Sequence, residues 1–288
     1  MPIVVGIDGS ESAINAAQWA VDEAVSRDLP LRLVHVIEPG SEAVRLEEEY
    51  AEIALRTART AVEDLSGQVT VETAIRRGDI DAILTEESWN AEMICIGSAD
   101  PETLEEPLEG DSTAAALARS AGCSLVVIGS SDEQVESKSG CVAVIVDGSN
   151  TGDAILGDAL NEARFRRLSL VVLEVQSPVL HDSCRESAEQ RMTRWQADYP
   201  DVDVHWLAMR TDVASFLTEI ARSVAMTIVG GTESGTAAEL VECPTNVAEL
   251  HHRPPGRGRL PNGRRRSARE FKAAHSDSVA VESTSGSK

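Results

Sequence analysis

Ile3–Ser10 reads IVVGIDGS, and Val142–Ser149 reads VAVIVDGS. Both are apolar, strand-sized runs that end on Asp-Gly-Ser, and they place Asp8 against Asp147. The same spacing sets Val34-His35-Val36 against Leu173-Glu174-Val175. Further on the spacing shortens once, and Val71–Leu84 (VETAIRRGDIDAIL) meets Val204–Leu217 (VHWLAMRTDVASFL) while Gly97 meets Gly230. Two long segments in register, separated by a single gap, mark an internal duplication.

Each copy alternates apolar runs with helical patterns. In the first copy the runs predict strands at Ile3–Ile7, Leu31–Ile37, Val69–Ile75, Glu92–Ile96 and Leu125–Ile128. Helices are predicted between them at about Glu11–Ser26, Glu42–Leu65, Ile80–Trp89 and Thr113–Ser120. Ile14, Ala17, Val21 and Ala24 form a stripe at helical spacing, and Ser10 stands where an N-cap belongs. Strand–helix alternation implies right-handed crossovers and a parallel sheet. The expected fold class is therefore α/β, with two tandem, doubly wound, five-stranded parallel sheets of order 3-2-1-4-5. In each, the ligand crevice lies at the switch point between the first and fourth strands. The expected division is residues 1–131, residues 139–250, and a tail from 251 to 288. Ser131–Ser139 (SDEQVESKS) serves as linker.

Composition agrees with this class. The chain of 288 residues is 42% hydrophobic but only 3% aromatic, so its core rests on Ala, Val, Leu and Ile. The longest apolar runs fall far short of the roughly 20 residues of a membrane helix. The opening stretch reads as a strand rather than a targeting segment, and a cytoplasmic location is expected. Five scattered cysteines without a CxxC pair, and one adjacent histidine pair at His251–His252, predict neither a disulfide framework nor a metal site. Charge is unevenly spread: residues 251–288 carry a net +6 and the first 250 residues a net −28. The acidic body repels nucleic acid and membrane surfaces. Only the tail, with Arg253, Arg257, Arg259, Arg264, Arg265, Arg266 and Arg269, has the charge to attract an acidic partner. Rich in Pro, Gly, Arg and Ser and lacking periodicity, that tail is expected to be disordered.

A first strand ending in Asp-Gly-Ser, a second ending in Val-His-Val and a fourth ending in Ile-Gly-Ser, found in order, resemble the universal stress protein family. The resemblance covers about residues 1–250 as two copies and implies an adenine nucleotide alpha hydrolase-like fold. Nucleotide-binding members carry a loop of the form G-x2-G-x9-G-[S/T] after the fourth strand. Its glycines let backbone approach the phosphates, and the next helix presents free N–H groups. The resemblance implies that Asp8 meets the base or ribose side and that the backbone at Val36 meets adenine. Gly97, Gly110 and Ser112 fall on the phosphate loop and the start of its helix.

The loop departs from that pattern. Its spacing is kept, but Asp100 stands at the second glycine and Asp111 at the Ser/Thr position. Glu102, Glu105, Glu106 and Glu109 lie between them, with no Lys or Arg. A helix end favours an anion by about 0.3–1 kcal/mol. Each close like-charge pair costs about 1 kcal/mol in water and up to about 4 at a partly desolvated surface. In the second copy Gly230 is followed by GTESG and TAAEL, leaving about ten residues fewer than the first loop. No Walker loop, dinucleotide fingerprint or nucleophile elbow occurs, and no catalytic set is found. The expected function is a stress-response or regulatory binding protein that is not an enzyme and needs no cofactor. The alternative is a first copy that still holds ATP or another adenine nucleotide, directly or through magnesium. Leu125–Ile128 is expected to remain an open edge strand for a protein partner or a homodimer, because its counterpart Thr245–Leu250 (TNVAEL) is more polar.

Overall fold

A computed structural model describes residues 1–40, 44–98, 112–128, 140–146, 150–175, 188–209, 213–220, 223–230 and 247–250. The first copy runs β1 (Ile3–Gly6), α1 (Glu11–Arg27), β2 (Leu31–Ile37), α2 (Val44–Leu65), β3 (Val71–Arg77), α3 (Ile80–Ser88), β4 (Met93–Gly97), α4 (Thr113–Ser120) and β5 (Ser124–Ile128). The second runs β6 (Cys141–Val146), α5 (Asn150–Arg166), β7 (Ser169–Val175), α6 (Ala188–Asp198), β8 (Val204–Met209), α7 (Val213–Ile220), β9 (Val224–Gly230) and β10 (Val247–Leu250). The linker at 131–139 and the tail from 251 lie outside the described residues. Among the described residues no helix is long and apolar enough to cross a membrane.

The repeat is visible down to its backbone details. Ser10 caps α1 by accepting the Ala13 N–H, as its position predicts. At the other end Asp28 takes a left-handed conformation with φ 56°, its N–H closing on the carbonyls of Ala24 and Val25. Arg167, the position that the repeat matches to Asp28, follows α5 directly and has the same conformation with φ 58°. β3 is displaced from its predicted span of Val69–Ile75. Its extent follows the register with β2, from Leu31↔Val71 to Ile37↔Arg77, rather than its own apolar run.

The strands form one ten-stranded sheet in the order β3-β2-β1-β4-β5-β10-β9-β6-β7-β8. Each half keeps the order 3-2-1-4-5 and is parallel throughout, and the two halves are joined edge to edge instead of standing as separate sheets. The join is the antiparallel pair β5–β10, with Val247↔Val127, Ala248↔Val126 and Glu249↔Leu125. Read outward from it, both sides have the same sequence of strands running in opposite directions. The halves are thus related by a pseudo-two-fold axis along the sheet normal. The expectation of an open edge at Leu125–Ile128 is corrected by this pairing. Ladder bonds come from the backbone, so the polar sequence of β10 does not prevent it from covering β5.

A rotation about the sheet normal keeps each helix on its own face, and the core obeys this. One layer gathers residues of α1, α2 and α5, with Trp195 of α6 and Tyr199, just past that helix, against it. The other gathers residues of α3, α4 and α7. Ala13, Ala16, Ala17, Ala20 and Ala24 are all buried on α1, which lets that helix lie close on the central strands. This is how a core of aliphatic residues closes with so few aromatics.

At the junction the duplication brings matching charges together. Glu23 and Arg27 on α1 recur at the matching positions of α5 as Glu162 and Arg166. Arg27 Nε donates to Glu23 Oε2 at 2.8 Å and Arg166 Nε to Glu162 Oε1 at 2.7 Å. Across the halves Arg166 Nη2 stands 3.7 Å from Glu23 Oε1. The Arg166 guanidinium also lies 5.1 Å above the Trp19 ring of α1, in cation–π range.

Candidate functional site

The site is built from the chain turn that follows β1. Ile7 N–H reaches Val34 C=O at 2.8 Å and ends the pairing with β2. Asp8 then folds its carboxylate back: Oδ1 accepts the Ser10 N–H at 2.8 Å and the Ser10 hydroxyl at 2.6 Å. Ser10 Oγ in turn accepts the Ala13 N–H at 3.2 Å and lies 3.0 Å from Ser12 Oγ. The acid that the resemblance assigns to ligand therefore also stiffens the turn and orients the N-cap of α1. One of its oxygens is committed to that task, in a side chain that stays exposed.

Gly9, between Asp8 and Ser10, has φ +93°, a conformation suited to glycine. A Cβ there would also meet the Tyr50 hydroxyl and lie 2.9 Å from Tyr50 Cζ, so glycine is what lets this side chain rest on the turn. That hydroxyl donates to Asp8 C=O at 3.0 Å, tying α2 to the turn. The Tyr50 ring meets His35 edge-on, with centroids 6.0 Å apart and an interplanar angle of 68°. His35 is only 7% exposed, and its Nδ1 has no hydrogen-bond partner among the described residues.

Val36 owes its position to strand alternation. Leu31 N–H bonds to Thr70 C=O beside β3, and Val34 C=O accepts from Ile7 beside β1. Even-numbered residues of β2 hence turn their backbone groups toward β1. Pairing with β1 stops at Gly6↔Val34. The N–H and C=O of Val36 thus face the gap beyond the end of β1, alongside the Asp8 turn.

Gly97 closes β4 on the other side of β1, paired with Ile128. A Cβ on Gly97 would run into the Ser12 carbonyl carbon and lie 2.5 Å from Ala13 N and 2.6 Å from Ser12 Oγ. Packing against the first turn of α1 therefore requires this glycine, whatever the loop beyond it binds. Ser112 caps α4 by accepting the Ala115 N–H at 3.2 Å. Gly110, Asp100 and Asp111 lie outside the described residues. The structure thus gathers Asp8, Val36 and Gly97 at the carboxyl ends of β1, β2 and β4, around the first turn of α1. Ser112 begins the helix that returns from those ends.

The second copy differs at the matching place. Val175 ends β7, while Asp147 and the segment after Gly230 lie outside the described residues. A Cβ on Gly230 would meet the tip of Ile155, with Cδ1 in its way and Cγ1 at 3.5 Å. The neighbour there is a flexible side chain, not a helix backbone.

Tyr50, Ser12 and the Tyr50–His35 contact were not legible as site features. The available signal was Leu46, Tyr50 and Ile53, at i, i+4 and i+7 on the face of α2 away from its buried stripe of Ala51, Ala54, Leu55, Ala58 and Val62. Among the described residues no group of three or more His, Cys, Asp or Glu could hold a metal ion. Burial pushes the Cys95 thiol well above its ordinary pKa, with Glu23 adding to the effect, and burial also raises Cys141. Neither thiol is in the state a nucleophile needs.

The family model described as the universal stress protein family matches residues 1–129. A universal stress protein of Mycobacterium tuberculosis is 37% identical over 242 residues, covering 83% of this chain and 89% of its own length. Another from the same organism is 36% identical over 256 residues, covering 85% of this chain and 91% of itself. Among solved structures, a universal stress protein from Archaeoglobus fulgidus superposes with a TM-score of 0.68 at 17% identity. It covers 88% of this chain and 97% of that one, a likeness of fold.

Proposed function

The chain belongs to the universal stress protein family; we propose that within it this protein acts by binding rather than by catalysis. Its first half keeps the nucleoside end of an adenine nucleotide site and has lost the triphosphate end. The observation that carries this reading is the gap past β1, where the backbone N–H and C=O of Val36 stand beside the ordered Asp8-Gly9-Ser10 turn. A donor and an acceptor side by side match the donor–acceptor edge of a purine base. The phosphate loop offers the reverse of what a triphosphate needs. Six carboxylates from Asp100 to Asp111, with no cation, oppose an anion by more than one helix end attracts it. The stress-response role is then exercised through what the protein binds, without turnover.

Calorimetry with adenosine, AMP and ATP tests this directly. Affinity falls as phosphates are added, and ATP binds no better than about 1 mM, equivalent to roughly −4 kcal/mol. Asp100→Gly combined with Asp111→Ser raises ATP affinity and leaves adenosine unchanged. The retained spacing from Gly97 to Gly110 favours one rival, a first half that holds ATP through a bridging cation. Binding of ATP that is tighter than that of adenosine, and that depends on magnesium, would establish the rival and overturn the proposal.

A further inference from the structure

We propose that His35 and Tyr50 form a gated subsite of the nucleoside end: Tyr50 is a displaceable cover, and His35 Nδ1 is the hydrogen-bond partner beneath it. The inference rests on the nucleoside reading above and adds two residues to which the resemblance assigns no role. Its starting point is the imidazole. A buried polar atom without a partner forgoes a hydrogen bond that water would have given it, and such atoms call for an explanation. His35 Nδ1 is one. His35 immediately precedes Val36, whose backbone faces the gap, and its ring packs against the Tyr50 ring.

The cover has the properties of a movable part. Tyr50 is 52% exposed although its ring contacts a buried imidazole, so one side of it is free to leave. Among the described residues its hydroxyl makes one hydrogen bond, an exposed one to Asp8 C=O. Gly9 leaves room for that hydroxyl, since a Cβ there would collide with it. The closed position lies on the gap that a base must enter to reach Val36, because Asp8 C=O borders the same gap. When Tyr50 swings out it gives up one weak bond and uncovers the imidazole, and an entering ligand supplies Nδ1 with the partner it lacks. A population held closed by such a bond lowers apparent affinity by the closed fraction.

The test uses the full chain with adenosine as the probe. Tyr50→Phe keeps the ring and removes the latch, and it tightens adenosine binding by about three- to tenfold. His35→Leu removes the partner atom and weakens binding by about tenfold or more. The chain has two tyrosines, Tyr50 and Tyr199, so labelling with 3-fluorotyrosine gives two fluorine resonances that Tyr50→Phe assigns. Saturation with adenosine moves the Tyr50 resonance and leaves that of Tyr199 in place. Wild-type-like binding by both variants, with a stationary Tyr50 resonance, overturns the subsite while the nucleoside reading stands. Weaker binding by Tyr50→Phe also overturns it, since Tyr50 would then support the ligand instead of covering its site. Absence of adenosine binding in wild type and Tyr50→Phe alike removes the nucleoside reading and the subsite together. Should His35→Leu fail to fold, Tyr50→Phe and the fluorine spectrum decide alone.

Discussion

Glu23→Ala lowers the unfolding free energy by about 3 kcal/mol, near the bottom of the range for breaking a buried ion pair. Glu23 is 1% exposed and faces two guanidiniums, Arg27 of its own helix and Arg166 of the other half. Removing the carboxylate leaves both arginines, 25% and 20% exposed, with less compensation than their burial requires. Their residual contact with water and their remaining partners, Glu92 at 4.0 Å and Glu162, keep the loss from being larger. Glu162→Ala, the matching change on α5, costs less, because Arg27 keeps Glu23 untouched and Arg166 keeps it at 3.7 Å. Urea unfolding of the two variants checks both the size and the asymmetry. A loss under about 1 kcal/mol for Glu23→Ala, the scale of an exposed pair, or equal losses for both, would show that the quartet does not hold the halves together.

Gly97→Val is expected to be the most damaging change at the crevice, at or above the upper end of the roughly 1–3 kcal/mol that overpacking usually costs. Its new atoms would have to occupy the space of the Ser12 carbonyl carbon and Ala13 N, which belong to a helix backbone and cannot rotate away. The first turn of α1 must shift, taking Ser10 and the Asp8 carboxylate with it, so on the proposed nucleoside reading affinity falls together with stability. Gly230→Ala is the contrast. The obstacle there is the end of Ile155, and a rotamer change relieves most of it. Thermal unfolding of Gly97→Ala, Gly97→Val and Gly230→Ala should rank Gly230→Ala mildest. A Gly97→Ala protein as stable as wild type would refute the close packing of β4 on α1.

Much of this fold is legible in the chain because each copy restates the other. An apolar run closing on Asp-Gly-Ser, found twice, anticipates β1 and β6, and Thr113–Ser120 emerges as α4 at its predicted bounds. β3 shifts because an edge strand takes its ends from its neighbour's hydrogen bonds, which its own apolar pattern does not encode. The covering of β5 escapes a sequence reading for a related reason: side-chain polarity is what the sequence displays, and backbone pairing is what decides. At the site, Asp8 and Ser10 are readable because they act within three residues of one another. Tyr50 is not, as its contact with Asp8 spans 42 residues and depends on how α2 lies on the sheet. Gly97 reads as a loop residue, whereas the tightest demand on it comes from Ser12, on a different element. The Glu23–Arg27 motif is visible in both copies, but only the two-fold arrangement turns its repetition into a contact.

The axis that joins the halves also gives the molecule two poles. A half-turn about the sheet normal sends the carboxyl ends of β1 and β4 to one rim of the sheet and those of β6 and β9 to the opposite rim. One pole carries the Asp8 turn, Val36 and Tyr50; the other carries Val175 and Gly230, the ends of β7 and β9. No single small ligand spans opposite rims that lie several strands apart. Duplication has thus separated two demands that a lone domain must meet at once. The second half completes the sheet through β10, while the crevice between β1 and β4 belongs to the first half alone.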